Sequence, residues 1–111
     1  MKKTNPSFLN GVPELLVLKL LSGREMYGYE IVQAIQTETK NSLSFGEGCI
    51  YPYLHYFEKE KLVNSRRKEV DGRSRYYYQI TPRGRKRLKD LSSEWNKVAE
   101  GIGFVMGGKY A

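Results

Sequence analysis

The stretch GCIYPYLHYFEKEKLVNSRRKEVDGRSRYYYQITP, residues 48–82, decides how this chain is built. Ile50, Leu54 and Phe57 recur at i, i+4 and i+7, the spacing of one apolar helix face, so a helix is expected from Gly48 to about Lys61. Pro52 is accommodated if it falls in the first turn, where backbone amides have no internal partner and a missing N–H is not felt. The opposite face then carries Gly48, Pro52, His55 and Lys59, with Cys49, Tyr51 and Tyr56 on the flanks. Beyond the helix the period changes. Leu62–Lys68 and Arg75–Ile80 read as two strands, and Asp71-Gly72 between them is a hairpin turn, because glycine accepts the positive φ that such a turn needs. Thr81-Pro82 supplies an N-cap followed by a first-position proline and opens another helix.

Working outward toward the N-terminus, Val12–Leu21 is apolar nearly all round and reads as a buried helix, with Pro13 at its start and Gly23 ending it. Residues 24–26 are expected to be a short connection. Tyr27 to about Thr39 places Ile31, Ala34 and Ile35 on one face of a second helix, and 41–46 is turn-rich. Toward the C-terminus, Leu88, Leu91, Trp95, Val98, Ile102 and Val105 recur at spacings of 3 and 4. That is an a/d seam, suited to pairing with a second helix. Gly101, Gly103, Gly107 and Gly108 each weaken a helix by about 1 kcal/mol relative to alanine, so fraying is expected after Met106. Helix, helix, helix, hairpin, long helix is the order of a winged helix-turn-helix, a mainly α fold with a small β-hairpin. The expected division is an N-terminal arm over 1–11, a winged helix over 12–81 and a C-terminal dimerisation helix over 82–111.

The charge is concentrated. The chain carries a formal +7, yet residues 59–89 alone hold twelve Lys or Arg against three acids, a net +9, while the flanking segments are each net −1. A basic segment on an otherwise near-neutral domain is the footprint of a polyanion binder. A helix fits the major groove, phosphate contacts supply affinity and base edges supply specificity. The residue types divide accordingly. The arginine-rich hairpin suits the backbone, and the small, aromatic, weakly charged outer face of the third helix suits close approach to bases. The candidate DNA-binding set is Tyr29, Gly48, Cys49, Tyr51, Pro52, His55, Lys59, Lys68, Arg73 and Arg75, on double-stranded DNA as partner.

With these residues laid out, the chain resembles the PadR family of bacterial regulators. The resemblance rests on Tyr27-Gly28-Tyr29-Glu30-Ile31, Gly48-Cys49-Ile50-Tyr51-Pro52-Tyr53-Leu54, Phe57-Glu58-Lys59-Glu60-Lys61-Leu62-Val63, and Gly72 through Thr81 with Gly84. It covers roughly residues 12 to 88. Three positions depart from the family's pattern: Phe57 for leucine, Lys61 where a helix-ending glycine is usual, and Cys49 for a small or hydroxyl residue. The resemblance implies a homodimeric repressor or activator on an inverted-repeat operator, in the branch with a single terminal helix. It also implies an apolar pocket between subunits where a planar apolar effector rests against tryptophan. Trp95 is the only tryptophan and lies on the seam, so it is the effector-binding candidate, with ordinary interface core as the alternative.

Other classes are poorly served. Cys49 and His55 stand at i and i+6 with no carboxylate pair or third ligand beside them, so neither an enzyme nor a metal site is expected, and no cofactor. A lone cysteine suits a reducing cytoplasm, and no apolar run approaches the roughly 20 residues that span a bilayer. Near a helix N-terminus Cys49 could carry a lowered pKa and act as a redox switch, or simply be an inert small residue. Two rivals remain open: a winged helix serving as a protein-interaction module, and a ligand sensor that does not touch a promoter.

Overall fold

The computed structural model describes residues 11–107. The elements are α1 (Val12–Gly23), β1 (Met26–Tyr27), α2 (Gly28–Glu38), α3 (Glu47–Lys59), β2 (Val63–Val70), β3 (Arg73–Ile80) and α4 (Pro82–Met106). This is the expected winged-helix order with one addition. Residues 1–10 of the expected arm, and Gly108 among the C-terminal glycines, lie outside the described residues.

The addition is β1. Met26 and Tyr27 pair antiparallel with Tyr78 and Tyr77, giving a sheet in the order β1-β3-β2. Two residues cannot display a strand period, so they read as a loop until β3 is there to receive them. The hairpin itself runs further than expected, with β2 and β3 in register from Val63↔Ile80 to Val70↔Arg73. Asp71 and Gly72 both take positive φ, 54° and 77°, as a two-residue hairpin turn requires.

The core gathers α1, α2 and α3 against the base of the sheet. Val17, Leu18, Ile31, Ile50, Leu54 and Phe57 are fully buried, with Ile35, Met26, Leu62, Val63 and Tyr78 around them. α1 earns its all-round apolar character by touching α2, α3, α4 and β3. Ile50, Leu54 and Phe57 form the inward face of α3 as expected, each contributing about 1.5–3 kcal/mol by burial.

Pro52 needs a correction. α3 begins at Glu47, so Pro52 is its sixth residue and stands inside the helix, beyond the first turn. The Gly48 carbonyl therefore receives no amide from position 52. An interior proline costs about 3 kcal/mol in an unsupported helix. Here the three buried anchors on the far side of α3 hold it through the break.

The end of α3 explains how a chain without the usual glycine turns into the hairpin. Lys61 adopts φ 62°, the left-handed conformation that glycine takes most easily. The amide of Leu62 bonds to Phe57 O at 2.8 Å and that of Lys61 to Glu58 O at 3.1 Å, a Schellman closure. α4 then starts on the Thr81 cap, whose Oγ1 accepts from the Gly84 amide at 3.0 Å. Gly84 is buried so close to the preceding turn that a Cβ there would lie 2.1 Å from Leu62 O. α4 is tied to α1 by Arg87, which donates to Glu14 at 2.8 Å. Among the described residues no helix is long and apolar enough to cross a membrane.

Candidate nucleic-acid interface

A cleft of about 570 Å³ opens between the outer side of α3, the start of α2 and the cleft-facing edge of the hairpin. Tyr27, Gly28 and Tyr29 line it from β1 and α2, Glu47, Tyr51 and His55 from α3, and Arg73, Arg75, Tyr76 and Tyr78 from β3. Of the sequence-expected residues, the fold brings Tyr29, Tyr51, His55, Arg73 and Arg75 together here. Gly48, Pro52 and Lys59 are exposed on the same helix beyond the cleft wall. Cys49 turns partly inward and packs against the core. Tyr27, Gly28, Glu47, Tyr76 and Tyr78 complete the lining from outside the candidate DNA-binding set. The tyrosine run reads first as a strand, and a glycine that serves another residue's ring leaves no periodic trace.

Each wall is locally fixed. The Tyr51 ring rests directly on Gly28, where an added Cβ would fall 2.0 Å from Cε1. Tyr51 Oη donates to Glu47 at 3.4 Å, and burial first, then the Glu47 charge, pushes its phenol up, so it remains a donor. On the hairpin, the Arg75 guanidinium sits 4.1 Å over the Tyr27 ring, which meets Tyr77 edge-on at 5.4 Å. Lys68 Nζ lies 4.4 Å over the other side of that pair, on Tyr77. Arg75 and Lys68 thus each sit on one member of the same edge-on ring pair, Arg75 on Tyr27 and Lys68 on Tyr77.

Lys68 is also engaged by a residue that the sequence did not single out. The Glu25 carboxylate, just ahead of β1, accepts from Lys68 Nζ, from Gln79 Nε2 at 2.8 Å and from Arg66 Nη2 at 3.2 Å. These donors, Gln79 foremost, then Lys68, hold the Glu25 carboxyl down at about 2. The Cys49 thiol is pushed up by burial, opposite to what an activated thiolate needs. No group of three or more His, Cys, Asp or Glu side chains among the described residues is placed to hold a metal ion.

Beyond the winged helix, α4 presents Trp95, Val98 and Ile102 each about half exposed, and Val105 almost wholly so. Leu88 and Leu91, earlier on the same seam, are packed against the core instead.

Comparison with known proteins agrees with this architecture. Residues 17–90 match the transcriptional regulator PadR-like family. The transcriptional regulator Rv3488 of Mycobacterium tuberculosis is 30% identical over 102 residues, 92% of this chain and 90% of its own length. Among solved structures, a PadR-like transcriptional regulator from Bacillus cereus superimposes with a TM-score of 0.79 at 32% identity, covering 93% of this chain and 99% of that one. A transcriptional regulator from Clostridium thermocellum gives a TM-score of 0.81 at 29% identity, over 90% of this chain and 95% of that one. With the order of elements, the matched segment and these likenesses in agreement, the chain belongs to the PadR-like family of transcriptional regulators.

Proposed function

We propose that the chain is a homodimeric, sequence-specific DNA-binding repressor without enzymatic activity. The observation that carries this reading is the cleft in which α3 and the hairpin converge, lined by tyrosines, His55 and two arginines with the Glu47 carboxylate to one side. In this reading α3 enters the major groove, with Gly48 and Pro52 permitting close approach, Tyr51, His55 and Lys59 along its reading side, and Cys49 turned partly toward the core behind them. Tyr29 stands beside it at the start of α2, and Arg73 and Arg75 lie on the flanking phosphates.

The half-exposed seam of α4 supports dimerisation, since Trp95, Val98, Ile102 and Val105 otherwise stand in water. A two-fold dimer reads an inverted repeat with half-sites about one helical turn apart. A planar apolar effector held between the two Trp95 side chains would release DNA by changing the spacing of the reading heads, which requires only a different affinity for the two arrangements. Quenching of Trp95 emission by such a compound is the check on that part.

The deciding experiment is a titration against the DNA upstream of its own coding region, beside scrambled competitor, at two salt concentrations. Saturable binding that survives competitor establishes a sequence-specific regulator. Absence of binding even at low salt favours a protein-interaction module or a ligand sensor instead.

A further inference from the structure

The hairpin carries five cations, Arg66, Arg67, Lys68, Arg73 and Arg75, and the structure does not treat them alike. Lys68 and Arg75 are direct cross-strand partners, and both stack onto the Tyr77–Tyr27 pair. Like charges placed opposite one another repel. That repulsion is relieved on one side only, because the Glu25 carboxylate takes Lys68 Nζ. Arg66, two residues along on the same face of β2, reaches the same carboxylate with both oxygens within 3.3 Å. Gln79 donates at 2.8 Å and fixes the acceptor in place. Among the described residues no carboxylate pairs with Arg75, which lines the cleft as Arg73 does. The Lys68 side chain is one-third exposed and that of Glu25 about a quarter, so this pair is better shielded than the Arg66 pair, in which the arginine side chain is 59% exposed.

We infer that Glu25 sorts the cations of the hairpin, holding Lys68 and Arg66 back from nucleic-acid phosphates and leaving Arg73 and Arg75 to meet them. Glu25 is thereby a specificity-determining residue. It lowers the sequence-independent attraction of the hairpin for any duplex while leaving the contacts made next to the reading helix in place. Non-specific attachment comes almost wholly from phosphate neutralisation, so two cations withheld widen the gap between operator and bulk DNA. The inference rests on the DNA-binding reading above.

The test reads the slope of log affinity against log salt, about 0.9 per phosphate neutralised on duplex DNA. The full chain is titrated with a random-sequence duplex as wild type, Lys68→Ala, Glu25→Gln, the double variant and Arg73→Ala. The expected result is an unchanged slope for Lys68→Ala and a slope steeper by about one to two units for Glu25→Gln. The double variant should recover about one unit, and Arg73→Ala should be shallower by about one. A Lys68→Ala slope shallower by a full unit in the wild-type background overturns the inference, as does a folded Glu25→Gln protein with the wild-type slope. If Glu25→Gln does not fold, Lys68→Ala decides alone. A wild-type chain that binds no duplex at any salt condemns the DNA-binding reading itself, whereas the slope outcomes bear on Glu25 only.

Discussion

Tyr51 and Gly28 are in contact across the junction of α3 and α2, the phenol ring lying where a side chain on Gly28 would have to be. Gly28→Ala must therefore displace the ring that forms one wall of the cleft. The expected cost is about 1–3 kcal/mol of stability, with weakened DNA affinity besides. Because the clash is with one ring, Gly28→Ala combined with Tyr51→Ala should be less destabilised than the two single changes summed. Urea unfolding of the four proteins measures this, and additive effects would show that the ring is not what Gly28 accommodates.

Lys61 occupies the left-handed position that closes α3, a conformation that strains any residue with a Cβ. Lys61→Gly should raise stability by about 0.4–1 kcal/mol, the relief of strain exceeding the added freedom of the unfolded chain. The denaturation midpoint should rise with the slope unchanged. A lower midpoint would mean that the lysine side chain contributes more than its backbone loses.

The depressed Glu25 carboxyl predicts a specific acid sensitivity. Its folded value, about 2, lies below its ordinary value of 4.5. The charged form is thus favoured by folding, and its contribution is complete above about pH 4.5 and fades as pH falls toward 2. The stability difference between wild type and Glu25→Gln should be flat from neutral pH down to about 5 and shrink below 4.5. A difference that instead grows on acidification contradicts the ion-pair cluster at Glu25.

On α4, Val98→Asp with Ile102→Asp places two charges on the half-exposed seam and away from the winged-helix core. Sedimentation should show a shift from dimer to monomer, and operator affinity should fall while binding to random duplex changes less. A dimer that survives both substitutions would move the interface elsewhere.

Much of the fold was legible because it repeats. Ile50, Leu54 and Phe57 announce α3, Asp71-Gly72 announces the hairpin, and Leu88 through Val105 announce α4, each by spacing or by one conformational demand. What stayed hidden depends on a partner distant in the chain. β1 is a strand only because β3 binds it. Gly28 and Gly84 matter through the Tyr51 ring and the Leu62 carbonyl, which no local pattern links to them. Glu25 looked like a connector residue, since its three partners lie more than forty positions away. Pro52 was misplaced by a different route, because even from the expected start at Gly48 it is the fifth residue, past the amides that lack an internal partner. Among the candidate contact residues, those on α3 and β3 were found by face and charge, whereas the engagement of Lys68 by Glu25 depended on three-dimensional proximity alone.

The short reach of β1 has a mechanical consequence. It supports β3 only at Tyr77 and Tyr78, so from Tyr76 to the turn the hairpin is a two-stranded ribbon. Ribbons of two strands twist more and resist bending less than three-stranded sheets. Stiffness therefore falls along the hairpin, from a root braced against α2 to a pliant tip at Asp71-Gly72. Arg75 sits two residues outside the braced section and Arg73 at the free end, so the two arginines differ in how far each can follow a groove whose width varies with sequence.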